Sequence, residues 1–160
     1  DLTEENQDFI IITPEEFLES FQNILRIITV FLAGVAGISL LVGGVGIANT
    51  MYTSVIERTR EIGVMKAIGA QNKDILIIFL IEAGLLGLVG GIVGALIGLG
   101  SALGISAIAN QALGENLFLV SISYPLLIGA IGFSFVVGII SGIIPALQAS
   151  KLNPVDTLRK

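Results

Sequence analysis

Three long runs almost free of charge constrain this chain more than any other feature. The first, Ile27 to Thr50, contains no charged residue. At about 1.5 Å per residue it spans roughly 36 Å, enough to cross a hydrocarbon core of about 30 Å. The second starts near Ile75 and carries Glu82 as its only charge before Glu115. It is longer than one crossing needs, so its membrane part is expected to end near Leu99, with the helix projecting toward Ala109. The third is Tyr124 to Ile144, expected to close at Pro145. With 54% hydrophobic residues and only 13% charged ones lying mostly outside the runs, the fold class is expected to be an all-α membrane protein with three transmembrane helices.

Residues 1–13 read as the end of an extracytoplasmic domain, with a short strand at Phe9 to Ile12. Residues 14–56 read as an amphipathic stalk helix running into the first membrane helix. Thr13, Pro14 and Glu16 form its start signal, a capping box with Pro at the first helical position. Phe17, Phe21, Ile24 and Ile28 lie on one helical face. The remaining segments are 57–74 (a charged connection), 75–109 (second span), 110–123 (loop), 124–144 (third span) and 145–160 (tail).

Lys and Arg set the orientation. Arg58, Arg60, Lys66 and Lys73 fall between the first two spans, and Lys151, Arg159 and Lys160 follow the third. The loop Asn110 to Ser123 has none, and only Arg26 precedes the first span. The first connection and the C-terminus are therefore expected in the cytoplasm, and the N-terminus outside, in the cell membrane. A chain that begins at Asp1 on the outside, with no signal peptide, is expected to be a fragment of a longer polypeptide.

The connection Glu57 to Asp74 opens with alternating charges. Ile62, Met65 and Ile68 then recur every third residue beside Val64, and Gly69 stops the helix. Such a helix, charged but with an apolar edge, lies in lipid headgroups, inserts in the groove of a cytoplasmic partner, or simply connects two spans.

Several ordered motifs resemble those of one family. They are Gly43-Gly44-Val45-Gly46-Ile47-Ala48-Asn49-Thr50-Met51, then ERTREIGVMKAIGA from Glu57 to Ala70, then Phe79-Leu80-Ile81-Glu82-Ala83. The tail from Pro145 to Arg159 adds a Pro-Ala and an Asn-Pro-Val-Asp-Thr-Leu-Arg pattern, with Thr157 where the family more often has Ala. Over about Thr13 to Lys160 the chain resembles the FtsX-like permease domain of MacB-type ABC transporters, in the superfamily of the lipoprotein-releasing permeases. The resemblance implies the last three helices of a four-helix permease, with a large outer domain between the family's first two helices. It implies that Glu57 to Gly69 is a coupling helix docking on an ATP-binding cassette subunit, with Glu57, Arg58, Arg60, Glu61, Met65 and Lys66 as the coupling residues. ATP hydrolysis would belong to that partner, not to this chain, and a second permease subunit would complete a homo- or heterodimer. The work would be export or mechanotransmission to the outer domain, carried by a first helix unbroken from Thr13 past Thr50. Two alternatives are a cell-division FtsX permease that activates a wall hydrolase, and an ion-coupled secondary transporter.

The other polar and small residues have plainer readings. Gly44-Val45-Gly46 fails as a dinucleotide fingerprint because Asn49 holds the last glycine position and no strand precedes it. Gly87/Gly91, Gly94/Gly98 and Gly138/Gly142 have small-xxx-small spacing and are expected to pack spans two and three against span one or a second subunit. Glu82 is expected to bond Asn49, Thr50 or a neighbouring chain, since a carboxylate in a span must be paired, hydrated or protonated. The chain has no Cys and no His, which removes the commonest general base and metal ligand and would leave catalysis to carboxylates, Lys or hydroxyls; no catalytic residue, metal, cofactor or nucleic-acid partner is assigned.

Overall fold

The computed structural model describes residues 13–113 and 121–153. The strand expected at Phe9 to Ile12 lies outside them, as do the middle of the loop and the tail from Pro154, including Arg159 and Lys160. Four helices follow one another: α1 (Pro14–Glu57), α2 (Thr59–Ala67), α3 (Asn72–Leu113) and α4 (Tyr124–Ser150). There is no strand among the described residues. α1, α3 and α4 are long and apolar enough to cross a membrane. The chain divides into two compact units, Asp1–Leu41 and Val42–Lys160.

In the first unit α1 begins where its start signal stands. The Thr13 amide donates to a Glu16 carboxylate oxygen (3.2 Å) and the Glu16 amide donates to the Thr13 hydroxyl (3.3 Å). Each takes an amide that the helix itself leaves unpartnered. Further along, Thr29 and Ser39 turn their hydroxyls back onto the carbonyls of Leu25 and Val35. A hydroxyl in hydrocarbon has no water to bond, and this local bond satisfies it. The apolar side chains from Phe17 to Leu41 are exposed, a surface suited to lipid.

In the second unit, α2 follows α1 after one residue, Arg58. It ends in two bonds of a Schellman motif: the Ala70 amide donates to the Met65 carbonyl (3.0 Å) and the Gly69 amide to the Lys66 carbonyl (3.1 Å). The motif requires left-handed backbone at Gly69, whose φ is +108°, and glycine takes that conformation without a Cβ clash. α3 starts at Asn72, three residues before the expected Ile75, because the Asp74 carboxylate accepts from the Gln71 amide (2.9 Å) and fixes the first turn there. It also runs past Ala109 to Leu113. Asn110 does not stop it, since Gln111, Ala112 and Leu113 are good helix formers.

The third span corrects the expected closure at Pro145, because α4 continues through that proline to Ser150. Proline removes one amide and its ring crowds the preceding turn. Here the turn beyond it is held by packing: Pro145, Ala146, Ala149 and Ser150 are all buried. Ala146 and Ala149 share a core with Met51 and Val55 of α1, Ile62 of α2, and Ile75, Phe79 and Ala83 of α3. That core collects the end of α1, one face of α2, the start of α3 and the end of α4.

Away from this core, α3 and α4 touch through small residues. A Cβ on Gly138 would stand 2.5 Å from the Ala83 carbonyl oxygen and 3.0 Å from the Gly87 Cα, and one on Gly142 would overlap the Ala83 side chain. A Cβ on Gly87 would collide with the Ser134 carbonyl oxygen, and one on Gly91 would lie 2.6 Å from the Ser134 Cβ. Gly84, which the spacing did not single out, faces Phe135 and Ile139 in the same seam. These glycines thus pack spans two and three against each other and not against span one, while nothing of this chain stands within 4 Å of a Cβ added at Gly94 or Gly98.

This contrast is testable. Gly87→Ala should be destabilised, because a backbone collision costs about 1–3 kcal/mol and the better helix propensity of Ala returns at most about 1 kcal/mol. Gly94→Ala should be neutral or slightly stabilised. Thermal unfolding of the two variants in detergent checks both, and equal midpoints would contradict the seam.

Candidate functional site

α2 stands out as a short helix whose two sides differ sharply. Ile62 and Gly63 are buried, with Ile62 fully enclosed in the shared core. Arg60, Glu61, Val64 and Ile68 are exposed, and Met65 is half-buried, packing on the edge of the core. The apolar edge read from Ile62, Met65 and Ile68 is thus divided. Ile62 anchors the helix, while Ile68 is 83% exposed. An isolated nine-residue helix would be marginal in water, so its order depends on this anchoring and on the Gly69 stop.

The exposed side forms a shallow groove lined by Glu57, Arg60, Glu61, Val64 and Met65. Four of the six residues named as coupling residues, Glu57, Arg60, Glu61 and Met65, therefore meet on one surface. Val64 joins them. Carboxylates, a guanidinium and apolar side chains share this surface, a mixture suited to a protein partner.

The other two, Arg58 and Lys66, point elsewhere. The Arg58 guanidinium lies 3.5 Å from both carboxylate oxygens of Glu82 on α3. Glu82 thus has a partner other than Asn49 or Thr50. The Thr50 hydroxyl donates instead to the Gly46 carbonyl (3.0 Å), and Asn49 is exposed. Glu82 sits ten positions after Asn72, roughly 15 Å along the helix. The long Arg58 side chain, at the α1–α2 joint, reaches that depth. Lys66 donates to the carbonyls of Ser150 (2.6 Å) and Leu152 (2.7 Å), at the end of α4. Sequence reasoning missed both pairings.

The chain is similar in sequence to known proteins. A profile described as FtsX-like permease, C-terminal, matches residues 33–154. The chain is 48% identical over 154 residues to the uncharacterized ABC transporter permease MJ1507 of Methanocaldococcus jannaschii, covering 96% of this chain and 38% of that protein. It is 44% identical to the uncharacterized ABC transporter permease YknZ of Bacillus subtilis, over 93% of this chain and 36% of the relative. It is 39% identical to the macrolide export ATP-binding/permease protein MacB of Chromobacterium violaceum, over 96% of this chain and 23% of the relative. The chain therefore spans less than two fifths of the length of these relatives.

The Arg58–Glu82 pair makes its own prediction. Its side chains are 52% and 32% exposed, so the coupling is expected near 1 kcal/mol or less. Arg58→Leu leaves a carboxylate inside a span without its cation, so it should destabilise more than Glu82→Gln. Combining the two should recover part of the loss. A double-mutant cycle on unfolding in detergent measures this, and strict additivity would mean that the pair does not interact.

Proposed function

This chain belongs to the FtsX-like permease family, and we propose that it is a membrane portion of a MacB-like ABC transporter whose α2 docks on an ATP-binding cassette. In this reading ATP is hydrolysed by that separate subunit or domain. The work is delivered as export or as mechanical work outside the membrane, and a second permease subunit completes the transporter.

One observation carries the reading. α2 is fixed to its own chain by Ile62 and the Gly69 stop, yet presents Arg60, Glu61, Val64 and Met65 on one surface with Glu57 from the end of α1. A helix meant for anionic headgroups would present mainly cations. Here two carboxylates flank Arg60, which favours a partner of complementary charge over a lipid surface. The apolar members supply area to bury and the charged ones supply register. The Lys and Arg distribution favours a cytoplasmic side for α2 and for the C-terminus, the side on which ATP is available. The name ATP-binding/permease carried by the MacB relative fits a permease joined to a cassette.

Arg60→Glu combined with Met65→Asp reverses one charge and buries another at the centre of this surface. Both side chains lie away from the fully buried core residues, so membrane insertion should be retained. Co-purification of the full-length permease with its cassette ATPase should be lost. Unchanged co-purification would overturn the assignment of α2 as the docking helix.

A further inference from the structure

We propose that Lys66 is a positioning residue that yokes α2 to the end of α4, so that a displacement of α2 is handed to α4. The proposal rests on the reading of α2 as the docking helix.

The two ends of α2 are tied to the rest of the unit by different means. At its start, Arg58 meets Glu82 of α3 at 3.5 Å, with both side chains partly exposed. That is a long ion pair of the kind that contributes little. At its end, Lys66 donates two short hydrogen bonds, 2.6 and 2.7 Å, to backbone carbonyls of Ser150 and Leu152. Hydrogen bonds from an ammonium are roughly twice as strong as neutral ones. The bond to Ser150 falls where α4 needs it, because the last carbonyls of a helix lack amide partners and carry its negative partial charge; the bond to Leu152 holds the chain just beyond the helix. α4 has no basic residue in its last turn and its own Lys151 stands at the C-cap; Lys66 adds a second cation from a position 84 residues away, bonded to the Ser150 carbonyl.

The surroundings favour transmission over simple capping. Ser150 is buried, and its own hydroxyl is turned onto the Leu147 carbonyl (2.9 Å). The end of α4 is thus a rigid receiver. Ile62 of α2 and Ala146 and Ala149 of α4 share the same core, so α2 and α4 are joined by packing on one side and by Lys66 on the other. Because Lys66 faces α4 and not the groove, the docking surface and the yoke are separate sets of residues on one short helix. A change at Lys66 should therefore leave docking intact and sever the link from α2 to α4.

The test uses the full-length permease with its cassette in lipid. Spin labels at Ala67 on α2 and Gln148 on α4, both exposed, report the distance between the two helices. Three backgrounds are compared: Lys66, Lys66→Met and Lys66→Arg. The expected result is a narrow distance distribution with Lys66, unchanged on ATP–vanadate trapping. Lys66→Met should broaden it and make it shift on trapping, while cassette co-purification persists. Lys66→Arg, which can still reach a carbonyl, should restore the narrow distribution. A distribution in Lys66→Met as narrow as in the parent would overturn the yoke, whatever the state of docking. Loss of co-purification in Lys66→Met with the distance unaltered would also overturn it, since Lys66 would then act as a docking residue. Failure of the parent protein to bind a cassette would sink the docking reading. The resting-state distances would still decide whether Lys66 joins α2 to α4.

Discussion

The structure depends on the backbone-to-backbone approach of α3 and α4 at Gly87 and Gly138. In lipid there is no hydrophobic gain from bringing two apolar helices together, so association rests on close contact of atoms. Side chains would hold the helices apart. At these positions there are none, and the backbone of one helix lies against that of the other. Ala83, Gly84, Gly91 and Gly142 extend the seam in both directions. With α3 and α4 joined in this way, the start of α3 and the end of α4 are brought side by side, and the space between them is where Ile62 and Met51 are enclosed.

At that end the physics changes from packing of small residues to a conventional apolar core with charges around it. Ile62 holds α2 in place. Three of the four cations of the connection then divide into two groups. Arg58 and Lys66 satisfy acceptors within the chain, a carboxylate on α3 and carbonyls on α4. Arg60 remains on the outer face with Glu57 and Glu61. The same charged segment thus serves to fix the helix and to present it, and the two tasks fall to different residues.

Much of this was legible in the sequence where the determining interaction is local. The box of Thr13 and Glu16 and the stop at Gly69 lie within a few residues of the bonds they make. The family resemblance was legible because its motifs fall at the converging helix ends, in Gly43 to Met51, Glu57 to Ala70 and Phe79 to Ala83. Local signals misled at Pro145, where the proline argues for an end and burial of Ala146 and Ala149 keeps the helix going. The partners of Arg58 and Lys66 were not legible. Backbone carbonyls carry no signature in the sequence, and nothing in the spacing of Lys66 points to Ser150.

The sequence by itself determined the three membrane helices, the short helix between the first two and the family to which the chain belongs. Length and apolarity of a run are one-dimensional properties, and the thickness of a bilayer reads them directly. Only the tertiary structure decided which glycines of equal spacing join α3 to α4, Gly87 and Gly138 but not Gly94 and Gly98, and which cations face inward. Those choices depend on where helices far apart in the chain come closest. Beyond the point of closest approach, a glycine with the same spacing meets no neighbour within this chain.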